Sequence, residues 1–249
     1  MATPMKKRPA RPKADSLSPL AENYLITLYT LQEEEQGTPV TMSRLAEHLA
    51  MSPATEHLGT SLASVAGMVR RMKRDGLLDI KPNKEIIFTG SGLIHAQALM
   101  RRHQLAERLL VDFLGMDLYK VHAEAHRLEH AISPEVEEKL ADRLGNPLTC
   151  PFGHPIPGSG YEVPPSAVSL DKVKPHTDVI VERIPEYDPR LVEYLVESDL
   201  VRGQTLVITD IAPYKGTMTI RIGDHDAVIG LQVAPRILVR RPNSEEKES

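Results

Sequence analysis

A segment rich in Pro and Gly divides this chain into two parts with different hydrophobic patterns. Residues 146–168 contain six Pro and three Gly. Both residue types disfavour the interior of helices and strands, so we expect a linker or an ordered loop here. Before this segment apolar residues recur mostly at helical spacing, and after it short β-type segments follow at regular intervals. The pattern predicts a multidomain α+β protein.

The composition excludes several classes of protein. The chain has 249 residues, of which 41% are hydrophobic, enough to form real cores. A single Cys excludes a disulfide framework and any Cys-rich zinc module, and it fits a reducing compartment. No apolar run approaches the roughly 20 residues that a membrane helix needs. We therefore expect a cytoplasmic protein with no membrane partner.

The N-terminal third has the order of a DNA-binding module. Residues 1–17 hold five Lys or Arg against one Asp, which is typical of a disordered basic arm or a solubilising tail. Within residues 18–90, three helical patterns precede a two-stranded hairpin; Ser18-Pro19 marks the first helix start. This order predicts a winged helix-turn-helix domain.

The recognition helix of this domain has two candidate starts. Ser61 is favoured because only that start continues into the helical pattern that ends at Asp75. The alternative start is Ser52-Pro53, but Gly59 would weaken a helix that continues from there. With the Ser61 start, the segment 52–60 is an extra short helix or a longer turn. Recognition helices place their first residues at base edges, whereas Lys and Arg contact phosphates. The predicted DNA-binding residues are Ser61, Ala63, Ser64, Gly67, Arg70, Lys81 and Lys84.

Potential metal ligands cluster in the helical segment 91–145. Two of them lie one turn apart on one helix, and four lie within roughly a 100° arc of the next helix. They are His103 and Glu107, followed by His122, His126, Glu129 and His130. Six such donors on two successive helices favour a divalent cation over a solvated polar face. The segment also carries more apolar surface than a lone helical hairpin can bury, so we expect a homodimer.

The C-terminal part has a β-type pattern. Residues 169–241 contain five short β-type segments, interrupted by a helical pattern at about 188–197. A small five-stranded barrel is the simplest interpretation. Residues 242–249 are polar and are predicted to form a flexible tail.

Three segments together resemble the diphtheria toxin repressor (DtxR/MntR) family of metal-dependent transcriptional regulators. They are residues 102–110, residues 122–130 and the Cys-Pro-Phe-Gly-His-Pro-Ile-Pro-Gly run at 150–158. The resemblance extends from about Leu20 to Val239. It implies a homodimer with an N-terminal winged helix, a helical dimerisation and metal domain, and a C-terminal SH3-like (FeoA-like) domain.

The resemblance also implies two metal sites in each subunit. The positions that match the family's primary site are Asn23, His126, Glu129 and His130. The positions that match its ancillary site are His103, Glu107 and His122, with Asp188 from the barrel domain. Relatives carry Met or Asp in place of Asn23 and Cys or Glu in place of His126. A primary site without sulfur ligands suits Mn²⁺, and it also accommodates Fe²⁺. We therefore expect Mn²⁺ first and Fe²⁺ second.

These features predict a metal-dependent DNA-binding regulator that mainly represses metal-uptake genes. Metal would favour the dimer that fits the major groove of double-stranded operator DNA, and no small organic substrate is expected. One alternative is a helical di-metal enzyme. It is disfavoured because Glu129 and His130 are adjacent rather than three residues apart, and no nucleophile motif is present. The other alternative is a metal-independent winged-helix regulator with a structural His cluster.

Overall fold

The computed structural model describes residues 17–34, 38–51 and 61–242. The predicted basic arm, except residue 17, lies outside the described residues, as do the 52–60 segment and all but residue 242 of the predicted tail. Within the described ranges, no helix is both long enough and apolar enough to cross a membrane.

The N-terminal domain has the predicted order of three helices and a hairpin. The elements are α1 (Pro19–Glu34), α2 (Met42–Met51), α3 (Leu62–Arg74) and the antiparallel pair β1 (Leu78–Ile80) and β2 (Ile86–Phe88). Apolar side chains of all five elements form one buried core. The winged helix-turn-helix prediction is confirmed.

Helix α3 begins at the favoured start. The Ser61 Oγ accepts a hydrogen bond from the backbone N–H of Ser64 at 3.2 Å, which caps the first turn. The inner face of α3 buries Val65, Val69 and Met72 against the other helices. The opposite face is therefore left to solvent, where a nucleic acid can reach it.

Five helical elements follow the hairpin. They are α4 (Gly90–Arg108), a π-helical turn (Leu109–Phe113), α5 (Leu118–Leu128), a 3₁₀ turn (Glu129–Ala131) and α6 (Pro134–Arg143). The helical segment predicted over residues 91–145 thus contains two interruptions, the π-helical turn and the 3₁₀ turn. The second interruption matters for the site, because Glu129 and His130 lie on the tighter 3₁₀ turn rather than on α5 itself.

The start of α4 is fixed against the hairpin. Thr89 Oγ1 accepts a hydrogen bond from the N–H of Gly92 at 3.0 Å. A Cβ on Gly92 would lie 1.8 Å from the carbonyl oxygen of Leu77, so only Gly allows this approach. The contact sets the angle at which α4 leaves the DNA-binding domain and carries its ligand-type residues inward.

The C-terminal domain contains a six-stranded antiparallel sheet with the order β3-β8-β4-β5-β6-β7. Its elements are β3 (Val168–Ser169), β4 (Asp178–Arg183), α7 (Pro189–Glu197), β5 (Thr205–Ala212), β6 (Thr217–Ile222), β7 (His225–Gly230) and β8 (Leu238–Arg240). The sequence predicted five of these strands and the helix. The additional strand β3 has only two residues, which is too short for an alternating pattern to reveal.

The Pro- and Gly-rich segment contains an ordered loop that joins two domains. Cys150 and Phe152 are fully buried and belong to one apolar core with Ala106 of α4, Val121 of α5 and the C-terminal sheet. The carbonyl of Phe152 accepts a hydrogen bond from the N–H of Ile184, just after β4, at 3.0 Å. The C-terminal domain is therefore packed directly on the helices that carry the candidate ligands.

Candidate metal centre

His103 lies at the middle of the candidate metal centre. Its Nδ1 is 2.6 Å from Glu129 Oε2, and its Nε2 is 3.1 Å from Glu107 Oε1 and 3.0 Å from His122 Nδ1. His103, Glu107 and Glu129 are completely buried. One imidazole on α4 thus connects the two sets of ligands that the family resemblance implies.

The first set contains a carboxylate that the sequence did not reveal. Donor atoms of His103, Glu107, His122 and Glu186 all lie within 4.8 Å of one another. Glu186 is buried in the loop between β4 and α7. We name these four residues the outer cluster. It combines side chains from α4, α5 and the C-terminal domain.

Asp188, which was predicted to be the ligand from the barrel domain, has a different place. Its Oδ1 accepts a hydrogen bond from the N–H of Leu191 at 3.1 Å and so caps the start of α7. Glu186, two residues earlier, points into the outer cluster instead. The Asp-Pro pair at 188–189 is itself a typical helix start, and that signal could have assigned Asp188 to capping.

The second set lies where α5 gives way to the 3₁₀ turn. His126 Nδ1 is 3.1 Å from Glu129 Oε1, and donor atoms of His103, His126 and Glu129 lie within 4.8 Å of one another. The Nε2 of His130 is 3.4 Å from Glu129 Oε1. We name His126, Glu129 and His130, together with Asn23, the inner cluster.

The inner cluster reaches the DNA-binding domain through α1. His130 Nε2 is 2.9 Å from Asn23 Oδ1, and His130 Nδ1 is 2.6 Å from Glu22 Oε2. Glu22 precedes Asn23 directly, but no sequence pattern marked it as part of the site. Glu22 raises the pKa of His130. The imidazole is therefore held between two side chains of α1.

The electrostatics keep both buried carboxylates charged. Burial raises the pKa of Glu107 and of Glu129, but the neighbouring histidines outweigh burial and hold both pKa values at about 2. Burial also acts against a charge on His103, but Glu107 and Glu129 raise the pKa of His103 well above its usual value. Burial lowers the pKa of His122 to about 4, so this imidazole is neutral and offers a lone pair at neutral pH.

Buried donor atoms without partners support a cation at this place. Among the described residues, Glu107 Oε2, Glu129 Oε1 and His126 Nε2 are buried and have no hydrogen-bond partner. Buried polar atoms are normally satisfied, and a divalent cation satisfies several of them at once. The residues present therefore fit a metal with nitrogen and oxygen ligands.

Metal binding at His103 is expected to release a proton. His103 carries a proton at pH 7 because its pKa is raised, and the nitrogen must lose this proton before it ligates a cation. Calorimetric titration with Mn²⁺ in two buffers of different protonation enthalpy should show the release of about one proton from this group, and tighter binding as the pH rises. His103→Gln should remove this release, whereas His95→Gln, on the same helix, should keep it. Equal observed enthalpies in both buffers would contradict the assignment.

The predicted DNA-binding residues lie on α3 and its N-cap and in the turn between β1 and β2. Every one of them is solvent-exposed: Ser61, Ala63, Ser64, Gly67, Arg70, Lys81 and Lys84. Of the four cations at the end of α3, Arg71 pairs with Asp75 at 3.7 Å and Lys73 with Asp79 at 2.6 Å. Arg70 and Arg74 have no ion-pair partner in the described part of the chain, which distinguishes Arg70 from its neighbour Arg71.

Three family models match consecutive parts of the chain. The model described as iron dependent repressor, N-terminal DNA binding domain, matches residues 16–86. The model for the metal binding and dimerisation domain of iron dependent repressors matches residues 89–158, and the FeoA domain matches residues 168–241. Together they account for all three domains of the fold.

Curated relatives and solved structures agree with these models. The chain is 47% identical over 137 residues to the iron-dependent repressor IdeR of Mycobacterium leprae. It is 45% identical over 139 residues to the diphtheria toxin repressor of Corynebacterium glutamicum. The matched stretch spans about half the length of each relative, 55% and 56% respectively.

The structural matches cover the whole of the compared chains. A manganese-dependent transcriptional repressor in complex with manganese is 30% identical with a TM-score of 0.77, covering 89% of this chain and 100% of the other. The manganese regulator SloR is 25% identical with a TM-score of 0.71, covering 91% and 100%. With its three matching domains, this chain belongs to the diphtheria toxin repressor family of metal-dependent transcriptional regulators.

Proposed function

We propose that this protein is a cytoplasmic, homodimeric repressor. It binds operator DNA when it holds Mn²⁺ or Fe²⁺, and it controls metal-uptake genes. The relatives include an iron-dependent repressor and a manganese-dependent transcriptional repressor, which favours a regulator over a helical di-metal enzyme. The observation that carries the proposal is His130, which belongs to the metal centre and contacts Asn23 and Glu22 of the DNA-binding domain.

Two groups of residues would hold the metal. The inner cluster, with Asn23, His126, Glu129 and His130, is one candidate site, and Glu22 supports His130 from behind. The outer cluster is the other, and in it we propose Glu186 rather than Asp188 as the ligand from the C-terminal domain. A bound divalent cation supplies positive charge that offsets the buried carboxylates and fixes the surrounding side chains.

The donor set favours Mn²⁺, with Fe²⁺ second. The ligands proposed for both sites are imidazoles, carboxylates and one amide. Burial raises the pKa of Cys150 well above its usual value, so this thiol stays protonated 3.8 Å from Glu186. Nitrogen and oxygen donors without thiolate suit manganese and iron, and selectivity over metals of higher raw affinity then depends on geometry and availability.

The chain's own residues can turn metal occupancy into DNA affinity. His130 connects the turn after α5 to α1, and α1 shares its core with α2 and α3. Fixing α1 relative to the helical domain therefore fixes the recognition helix. In a homodimer this sets the spacing of two recognition helices, which must match two major-groove half-sites. Exposed apolar side chains of the helical domain, such as Ile94, Phe113 and Leu114, support the homodimer.

The domain boundaries are part of this proposal. We propose a DNA-binding domain over residues 18–90, a helical dimerisation and metal domain over 91–145, a Pro-rich connection over 146–168 and an SH3-like domain over 169–241. The exposed basic surface of α3 and the wing would contact DNA through the residues predicted from the sequence.

A DNA-binding titration tests the proposal. The probe is a duplex that the wild-type protein selects from a random library, and its affinity is measured by fluorescence anisotropy in Mn²⁺ and in EDTA. Metal should raise the affinity by about 5- to 150-fold, the usual range of coupling between two sites. Affinity should fall steeply with salt, because the overall negative charge leaves only a local basic surface to contact phosphates.

Variants of exposed arginines provide the control. Arg70→Ala should weaken binding and reduce the salt dependence by about one counterion, whereas Arg143→Ala, exposed on α6, should change neither. Equal affinity of the wild-type protein in Mn²⁺ and EDTA would contradict a metal-dependent repressor and favour the metal-independent alternative.

A further inference from the structure

Two neighbouring residues of the C-terminal domain face two different parts of the molecule. Glu186 is buried and takes part in the outer cluster. Tyr187, the next residue, is only partly buried and lies against the DNA-binding domain. Because one peptide bond joins them, a position imposed on Glu186 is passed directly to the backbone of Tyr187.

The ring of Tyr187 contacts three helices at once. Its hydroxyl shares a hydrogen bond with Thr30 Oγ1 on α1, with 2.5 Å between the oxygens. Its ring meets that of His48 on α2 edge to face, with centroids 5.3 Å apart. It meets the ring of His122 on α5 in the same manner, at 4.6 Å and 78° between the ring planes. A single side chain therefore contacts both α1 and α2 as well as a candidate ligand.

The helices that Tyr187 contacts are those that support the recognition helix. Leu45 and Leu49 of α2 share a buried core with Val65 and Val69 of α3. Thr30 is itself buried in α1. The contacts of Tyr187 thus lie on the side of α1 and α2 that faces the metal centre, while α3 presents its outer face to solvent.

We propose that Tyr187 is a positioning residue that couples the outer cluster to DNA binding. A cation held by His122 and Glu186 fixes the imidazole ring of His122, which packs against Tyr187. Through Glu186 it also fixes the backbone of Tyr187. Because Tyr187 is then already ordered, it contacts Thr30 and His48 at a lower cost in conformational entropy than a mobile side chain would. This gives the outer cluster its own route to α1 and α2, separate from the route through His130. The inference rests on the proposed function.

The experiment compares metal binding and DNA binding in variants of one hydrogen bond. Tyr187→Phe and Thr30→Val each remove one of the two hydroxyls that form this hydrogen bond, and each keeps the shape of the side chain. Tyr194→Phe is the matched control, because the hydroxyl of Tyr194 donates to the carbonyl of Val228 within the C-terminal domain. For each protein, bound Mn²⁺ per subunit is measured by elemental analysis, and affinity for the selected duplex is measured over a range of Mn²⁺ concentrations.

We expect all variants to bind as many Mn²⁺ ions as the wild-type protein. Tyr187→Phe and Thr30→Val should each reduce the metal-dependent gain in DNA affinity by about 2- to 10-fold, the equivalent of one hydrogen bond. The double variant should be no worse than either single variant, because both remove the same contact. Tyr194→Phe should retain the full gain.

Two results would overturn the inference. An undiminished gain in Tyr187→Phe would show that this contact carries no coupling. A loss of bound Mn²⁺ in that variant would show that Tyr187 only supports the metal site. Both differ from failure of the proposed function itself, in which the wild-type protein shows no gain with Mn²⁺.

Discussion

Substitution of Glu129 by Gln is expected to abolish the gain in DNA affinity that Mn²⁺ provides. Both oxygens of this buried carboxylate face histidines: Oε2 is hydrogen-bonded to His103 Nδ1 at 2.6 Å, and Oε1 lies 3.1 Å from His126 Nδ1 but has no hydrogen-bond partner among the residues that the structure describes. The amide removes the negative charge and one acceptor from the point where the inner and outer clusters meet. We expect Mn²⁺ affinity to fall by about 100-fold or more, since even indirect partners of a metal commonly contribute 10–100-fold.

The matched control is Glu124→Gln on α5, the helix that precedes the turn with Glu129. Glu124 is partly exposed and pairs only locally with Arg127. Its loss should change Mn²⁺ affinity and DNA binding little, because a surface pair contributes little. Thermal unfolding in EDTA shows whether Glu129→Gln still folds. A folded Glu129→Gln protein that keeps the wild-type response to Mn²⁺ would exclude Glu129 as a ligand.

Substitution of Glu186 by Gln is expected to reduce the bound Mn²⁺ from the two ions that we propose for each subunit to one. Glu186 supplies the only donor of the outer cluster that comes from the C-terminal domain. Once Glu186 has lost its charge, Glu107 is the one carboxylate left in the outer cluster. Glu107 is also hydrogen-bonded to His103. Elemental analysis after dialysis against dilute Mn²⁺, together with calorimetric titration, measures both the number of ions and their affinities.

Asp188→Asn is the matched control for this experiment. Asn is as good an N-cap as Asp, so α7 should remain capped and both ions should stay bound. Asp188→Ala should lower the free energy of unfolding by about 1 kcal/mol through loss of the cap, again without loss of metal. The opposite result, in which Asp188→Asn loses an ion and Glu186→Gln does not, would restore Asp188 as the ligand.

The parts of this protein that sequence patterns predicted are those set by local periodicity. The order of helices and strands follows from apolar spacing, caps and turns, because each of these acts within a few residues. The six ligand-type residues of the helical domain were also visible, since one-turn spacing on a helix brings side chains together without any tertiary information. The choice of Ser61 over Ser52 as the start of α3 depended likewise on continuity of the pattern.

The residues that sequence patterns missed depend on contacts between distant segments. Glu186 joins the outer cluster only because the C-terminal sheet packs on α4 and α5 through a shared core. Glu22 meets His130 only because α1 lies against the turn after α5. The 3₁₀ turn at 129–131 was also hidden, because three residues are too few to change a helical period.

The core shared by the metal helices and the C-terminal sheet has a consequence for how the chain unfolds. Phe152, Val121 and the strands bury one another, whereas α1, α2 and α3 bury a separate set of side chains together with the hairpin and with Ala96, Leu99 and Met100 of α4. Two cooperative units are therefore expected, and their border does not follow the boundaries of the three family domains. The larger unit unites the end of α4 and helix α5 with the FeoA domain, so truncation before residue 168 removes 18 of the 24 buried residues of a hydrophobic core rather than an appendage. The truncated protein would therefore lose the FeoA domain and, with it, the packing that keeps α5 and the end of α4 rigid.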